Sequence, residues 1–591
     1  MAVLAPGEVN PGAVILLATC AGSIAAAVPL PIMRCWQQEA CDAFAAPDYL
    51  SPHGTSAGAP GLADRAGLIR DPNGWRGLPL MAGRLGDQGD VIAFLSDPAA
   101  YGPGVARVEI LSTHISHIFL AGERAYKLKR AVRYPYLDFS TAVLRQRACE
   151  AELALNRRTA PELYLGVRGI GRGADGAIDW SDADNAIDWV VVMRRFDQEA
   201  LFDALARRGT LTAAIMLDLV AHIAAFHASE KPLLERGGAA AIDAIEAENS
   251  DTLRRTGLFA ADRIAKLHER SRARFGEVGE LLDARRAAGK VRHCHGDLHL
   301  RNICLIAGKP VLFDCLEFSP EMASIDVLYD LAFLLMDLEH RGLRDFANLC
   351  ANRYLDLSDE DDGLAALPLF MAVRAAIRAK VTAEAAAQDG ADEARRYLDL
   401  ALAMLMPAPA RLIALGGLSG TGKSTIAQRL APRLGVRPGA RVLRSDVIRK
   451  RLLGVAPETR LPVAAYTSDM SLRVYAALRD KAEAALKAGY CTIIDAVSFT
   501  PDERASFAAV AAAAEVPFSG IWLDTPAGTM TSRIGARSGD ASDATAETLA
   551  QQLRDDPGAI EWRRVDAGGD RDASLAAVER VLGLGPADPD A

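Results

Sequence analysis

Several residues have types and spacing suited to handling phosphate. The stretch RLIALGGLSGTGKSTIAQRLAPRLG places Gly417, Gly422, Lys423 and Ser424 between an apolar strand-like run and a helix-like run. Glycines at 417, 420 and 422 allow successive backbone N–H groups to converge on phosphate oxygens, and a following helix N-terminus adds partial positive charge. Lys423 can bridge β- and γ-phosphates, the Ser424 hydroxyl can ligate Mg²⁺, and Ser419, Thr421 and Thr425 complete a nucleotide cradle. Two acids further on end apolar runs, Asp446 in RVLRSD and Asp495 in CTIIDA, at the carboxyl edge where ligands sit in open α/β sheets. Asp495 suits a metal-orienting carboxylate, and Asp446, with Arg449 nearby, suits a general base beside an acceptor. Either acid could instead be a helix N-cap. Arg533 and Arg537, four apart, share a helical face as phosphate-clamping arginines of a lid would, or as a solvated basic face would.

A second constellation lies upstream. His295-Gly296-Asp297-Leu298-His299-Leu300-Arg301-Asn302 sets an acid and an amide five residues apart, and twelve residues after Asn302 the run PVLF ends in Asp314. This is the spacing of the kinase loop H-R-D-L-x-x-x-N. In that template Asp297 takes the hydroxyl proton of an acceptor while Asn302 and Asp314 hold Mg²⁺ against the nucleotide. In AYKLKR, Lys127 and Lys129 share one strand face, and either could meet the α- and β-phosphates. Lys127 is preferred, and Glu152 is preferred to Glu150 as its ion-pair partner; the alternative is a charged strand edge beside a charged helix. His227, ending an apolar helical stripe, reads as a core or capping histidine rather than a ligand, and Trp522 and Trp562 read as packing residues.

These groups need elements to position them, and 591 residues are too many for one ordinary core. Hydrophobic residues at 50% and charged residues at 24% match a soluble globular protein. With 67 basic and 76 acidic side chains the net charge is −9, which gives no global basic field for nucleic acid. Nine cysteines without a C-x-x-C pair indicate neither a zinc ribbon nor a disulfide framework, but reduced thiols of a cytoplasmic protein. The uncharged run from Ala13 to Met33 is long enough to cross a bilayer, yet it has two prolines and its leader carries Glu8 and no Lys or Arg. Those flanks argue against an export signal or membrane anchor. Residues 1–88 read as a disordered extension, or as a start codon placed too far upstream of Met81.

From Val108 the runs VEILST, HIFLAG and AYKLKR read as antiparallel strands, a helix follows over 141–158, and DWVVVMRRF is another strand. After Gln198 helix-period segments dominate, which suggests a two-lobed α+β unit over 89–405. Met406-Pro407-Ala408-Pro409-Ala410 reads as a linker. A β-loop-α pattern over 411–585 then predicts an α/β domain with a parallel sheet, and the Ala-rich tracts near 383 and 510 fit helices.

GLSGTGKST, SDVIRKRL, AGYCTIIDAVSF and RIGARSGDASDA resemble the small P-loop kinase group that includes polynucleotide kinase and chloramphenicol phosphotransferase. That resemblance implies Asp446 as the base toward an acceptor hydroxyl and Arg449 as an acceptor contact. HCHGDLHLRNI and FDCLEF, with THISHIFLAGERAYKLKR and LNRRTAPELYLGV, resemble the aminoglycoside-phosphotransferase-type, protein-kinase-like family, and more closely bacterial proteins that fuse such a domain to a C-terminal P-loop kinase. Leu300-Arg301 stands where most antibiotic kinases carry Pro-Gly, which points away from an antibiotic acceptor. The combined expectation is a bifunctional phosphotransferase using ATP and Mg²⁺ on small-molecule hydroxyl acceptors. A regulatory ATP-binding protein with one non-catalytic site and a nucleic-acid end kinase are the alternatives.

Overall fold

The computed structural model describes residues 87–585 apart from 135–136, 182–185, 386–389 and 537–540. The expectations for residues 1–86, including Met81 and the run from Ala13 to Met33, lie outside the described residues, as does Arg537. Among the described residues no helix is long and apolar enough to cross a membrane.

The first lobe is an antiparallel six-stranded sheet. Its strands are β1 (Val108–Ser112), β2 (Ser116–Ala121), β3 (Arg124–Lys129), β4 (Tyr164–Arg172), β5 (Ile178–Trp180) and β6 (Asp188–Arg194), in the order β1-β2-β3-β6-β4-β5. Helix α1 (Ala142–Asn156) starts at Thr141, whose hydroxyl accepts from the Leu144 N–H at 3.3 Å. The face it buries is unusual, because Arg145, Cys149, Glu152 and Asn156 recur at helical spacing and three of the four are polar. Each polar residue finds a partner: Arg145 makes a bidentate pair with Asp188 (2.7 and 2.9 Å), Glu152 meets lysines of β3, and Asn156 Oδ1 accepts from the Cys315 N–H at 2.8 Å.

The second lobe is mostly helical, with α2 (Ala213–Ser229), α3 (Ala261–Ala287), α4 (Val327–His340) and α5 (Arg344–Ser358) around one large apolar core. A hairpin of β7 (Ile303–Ile306) and β8 (Lys309–Leu312) sits between the lobes. Its register, Ile303 opposite Leu312, brings Asn302 and Phe313 together at the open end, where the Phe313 N–H donates to the Asn302 carbonyl at 3.0 Å. The Ala-rich tracts are helical, over Leu367–Ala385 and Pro501–Ala513.

After Met406–Ala410 the chain enters a five-stranded parallel sheet of β9 (Leu412–Gly416), β10 (Arg441–Arg444), β11 (Thr492–Asp495), β12 (Phe518–Asp524) and β13 (Arg563–Asp566), ordered β10-β11-β9-β12-β13. Helices α6 (Lys423–Leu430), α7 (Ser445–Leu452) and α8 (Ala527–Gly535) belong to the same domain. Leu412, Ile413, Ala414 and Leu415 are fully buried, as a strand covered on both faces requires. The two domains share packing as well as a covalent join: Ala485 and Tyr490 of the parallel-sheet domain sit in the helical core of the preceding lobe.

Candidate active sites

In the first site, Lys127 and Lys129 both point into the cleft side of β3, and Glu152 of α1 lies between them. Lys127 Nζ is 2.9 Å from Glu152 Oε1 and 2.6 Å from Asp314 Oδ1. Lys129 pairs with Glu152 and with Glu317, residues that are all buried. Burial would raise the Glu152 carboxyl, but Lys127 and Lys129 hold it down at about 2, so it stays ionised. Asp314 takes a left-handed backbone (φ 62°) just past β8. A non-glycine residue pays such strain only where its surroundings impose it. Here the Asp314 N–H donates to the Tyr164 hydroxyl at 3.1 Å and the next N–H to Asn156.

Asp297 stands about a third exposed at the cleft. Asn302 donates its side-chain nitrogen to Asp297 Oδ2 at 2.8 Å and to its carbonyl at 3.0 Å, which turns the Asn302 oxygen away from Asp297. Burial would raise the Asp297 carboxyl, but His299 (Nε2 to Oδ2 3.4 Å), assisted by Arg378 and His295, holds it well below the ordinary aspartate range. Two buried acids of α4 clamp the backbone of this loop. Asp330 accepts from the His295 N–H (3.1 Å) and the Gly296 N–H (2.8 Å), and Asp337 accepts from the Leu300 N–H (3.0 Å). His227, buried, reaches Asp330 Oδ2 with Nε2 at 3.0 Å and the Tyr354 hydroxyl with Nδ1 at 2.8 Å, the hydrogen-bonded core role expected of it. His227, Cys294 and Asp330 lie close enough to suggest a metal site, but both Asp330 oxygens already accept backbone or imidazole N–H groups.

The second site lies on the carboxyl edge of the parallel sheet. Gly417 (φ 132°) and Gly420 (φ 89°) adopt conformations closed to most side chains, and a Cβ on them would come within 2.7 Å of the Leu523 and Met530 carbonyls. Lys423 opens α6 and folds its Nζ back into the loop, donating to the Gly417 and Leu418 carbonyls at 2.8 and 3.0 Å. Ser424 donates to Asp495 Oδ2 at 2.6 Å. Strand register sets Arg444 of β10 beside Asp495 of β11, and Arg444 donates to Ser424 Oγ at 3.2 Å with its Nε 3.3 Å from Asp495 Oδ2. Asp446 and Arg449 share α7. Burial, reinforced by Asp495, lifts the Asp446 carboxyl above the ordinary aspartate range against the pull of Arg444 and Ser542. The buried Arg449 guanidinium stacks 4.6 Å from the Tyr466 ring centre, with long bonds to the Ala465 carbonyl (3.5 Å) and Ser471 hydroxyl (3.4 Å) and no partner for Nε. Arg533 of α8 donates to the carbonyls of Thr421, Ala567 and Gly569.

Direct contacts thus join Lys127 to Glu152 and Asp314, Asp297 to Asn302, and Ser424 to Asp495, while Asn302 and Asp314, expected to share a metal, each contact other residues of the site. Asp330, Asp337, Glu317 and Arg444 were not singled out from the sequence. A signal for the first two existed, since a pair of acids seven apart in the apolar run VLYDLAFLLMDLEH must be buried with partners.

Residues 145–367 match the family model of the phosphotransferase enzyme family, and residues 412–555 match that of an AAA domain. The protein is a kinase in which a phosphotransferase domain precedes a P-loop domain. Over 488 residues the chain is 32% identical to an uncharacterized protein of Mycobacterium tuberculosis, covering 80% of this chain and 95% of that one, and it belongs to the same family. Solved structures with partial similarity include choline kinase from Cryptosporidium parvum Iowa II (12% identity, 53% of this chain, 93% of that chain, TM-score 0.35) and a gluconokinase from Sinorhizobium meliloti 1021 (18% identity, 30% of this chain, 94% of that chain, TM-score 0.23).

Proposed function

We propose that the protein is a bifunctional phosphotransferase that uses ATP and Mg²⁺, binds one nucleotide in each domain and transfers phosphate to hydroxyl groups of small molecules. The observation that supports this best is a repeated arrangement: a lysine, oxygen donors that could hold a metal and a candidate base lie near one another twice, on unrelated folds.

Both donor sets suit a hard, oxygen-seeking cation. In the first domain Asp314 and Asn302 would hold Mg²⁺, in the second Ser424 and Asp495. Bound there, Mg²⁺ would neutralise phosphate charge and orient the transferred group. The chain's own residues do the rest. Lys127, fixed by Glu152, meets the α- and β-phosphates, and Asp297 accepts the proton of the acceptor hydroxyl while Asn302 holds its carboxylate in place. In the second domain the 417–425 loop wraps the phosphates through backbone N–H groups, and Lys423 bridges the β- and γ-phosphates. Asp446 takes the acceptor proton, with Arg449 as the acceptor contact. The six described cysteines are all free and buried, which supports a reducing, cytoplasmic setting.

Calorimetric titration with Mg²⁺ and a non-hydrolysable ATP analogue tests the two-site reading. Wild type should bind two equivalents, Lys423→Ala should lose one and Asp314→Ala the other. A single equivalent in wild type would refute it.

A further inference from the structure

Asp359, Glu360, Asp361 and Asp362 follow α5 as an unbroken acidic run, and alternate carboxylates face different domains. Glu360 and Asp362 turn to the phosphotransferase domain. Arg285 of α3 donates to Glu360 at 2.7 Å and to Asp362 at 2.9 Å, and grips Asp326 with two further bonds of 2.8 and 2.9 Å. Asp326 caps α4 by accepting from the Leu328 N–H at 2.8 Å, and α4 carries the two acids that clamp the 295–302 loop.

Asp359 and Asp361 turn to the P-loop domain. Arg441 Nε meets Asp361 at 2.7 Å and its Nη1 meets Asp356 at 2.8 Å. Lys481 reaches Asp359 and Asp361 at 2.7 and 2.8 Å, and Arg451 reaches Asp359 at 2.8 Å. Arg441 is the first residue of β10, and Arg444, the last, contacts Ser424 and Asp495. One four-residue strand therefore has its first arginine fixed in the neighbouring domain and its last at the pair that would hold Mg²⁺.

Buried ion pairs are a poor way to gain stability, since apolar contacts of the same volume often do as well or better. They do hold groups in one geometry, and charged networks joined to rigid elements can carry coupling between sites. We propose that Arg441 is a positioning residue for both sites, tying the Ser424–Asp495 pair through β10 and the acidic run to the helix that clamps the catalytic loop, so that nucleotide in one site tightens the other. The inference rests on the two-site reading above. Tightening is the expected sign because nucleotide that fixes Ser424 and Asp495 also holds β10, and through Arg441 the acidic run and α4, in the arrangement the other site uses.

The test uses the full chain, Mg²⁺ and the non-hydrolysable ATP analogue in calorimetry. The phosphotransferase site is measured in wild type, where the P-loop site also fills, and in Lys423→Ala, where it does not. Its affinity should be roughly fivefold or more weaker in Lys423→Ala, and emptying that site with Asp314→Ala should weaken the P-loop site by the same factor. In Arg441→Lys both sites should still bind, but the factor should fall to about one. Lys481→Gln, at the more exposed edge of the network, should reduce the factor without threatening the fold. Arg145→Lys, at a buried pair within the first lobe, should lower stability and leave the factor intact. Equal affinities in wild type and Lys423→Ala, or an undiminished factor in both interface variants, would overturn the proposal while leaving two sites. One equivalent in wild type would remove the two-site reading and the coupling with it.

Discussion

Replacing Asp330 by Asn should separate positioning from mere stability. Asp330 is fully buried, and three N–H groups converge on it: those of His295 (3.1 Å) and Gly296 (2.8 Å), and His227 Nε2 (3.0 Å). Burial would raise its carboxyl, but the His227 bond, with His295 and Arg374 nearby, holds it below the usual range, so the native group is an anion accepting on both oxygens. Asparagine keeps one oxygen and presents an NH2 group to a donor on the other side. An orphaned buried donor costs about 1–3 kcal/mol, and losing the charge on the remaining bonds costs about 1 kcal/mol more, so a total near 3 kcal/mol is expected. At roughly 2–4 °C per kcal/mol the melting midpoint should fall by about 6–12 °C. Gly296 precedes the candidate base, and misplacing reacting groups by about 1 Å can cost about a hundredfold in rate. Phosphate transfer by this domain, to its acceptor or to water, should therefore drop by about that factor well below the melting midpoint, with KM for ATP little changed. Asp188→Asn is the control, since Asp188 is equally buried but pairs with Arg145 in the first lobe. It should lower stability and spare most of kcat. Full kcat in Asp330→Asn, or an equal loss in Asp188→Asn, would mean that Asp330 does not position the 295–302 loop.

The two candidate bases differ in the direction of their shifts, Asp446 raised by burial and Asp297 lowered because His299, Arg378 and His295 together outweigh burial, so the P-loop activity should lose its base at higher pH on acidification than the phosphotransferase activity does. Separate pH–rate profiles check this, and the opposite order of acid limbs would reverse the assignments. At the domain joint, burial would raise Asp361, but Arg441 and Lys481 lower it from 3.8 to about 2. A depressed folded value means stability that is complete above the unfolded value and is lost as pH falls through the folded one, here about 2 kcal/mol. Asp361→Asn should remove that contribution at neutral pH and flatten the loss of stability between about pH 4 and pH 2; an unchanged acid slope in chemical unfolding would contradict it.

Both candidate phosphate loops were legible because their pattern is local: eight consecutive residues bring an acid and an amide together at 297 and 302, and eight form the glycine-rich stretch from 417 to 424. Strand period placed Lys127 and Lys129 on one face, yet only the structure shows that α1 buries Glu152 between them, because the buried stripe of α1 is polar and does not register as an apolar periodicity. The pairing of the acidic run 359–362 is not readable in the sequence, because Arg441 and Lys481 come from the second domain. Arg533 shows the same limit. Its place on a helix is readable, but the Thr421 and Ala567 carbonyls that its guanidinium meets lie far along the chain.

If each domain transfers phosphate to its own acceptor, as proposed, incubating the protein with γ-labelled ATP, Mg²⁺ and a metabolite extract and identifying the labelled products by mass spectrometry will separate the two activities. Wild type should label two products, Asp297→Asn should lose one and retain the other, and Lys423→Ala should do the reverse. Loss of the same product in both variants, or no labelled small molecule from wild type, would contradict it.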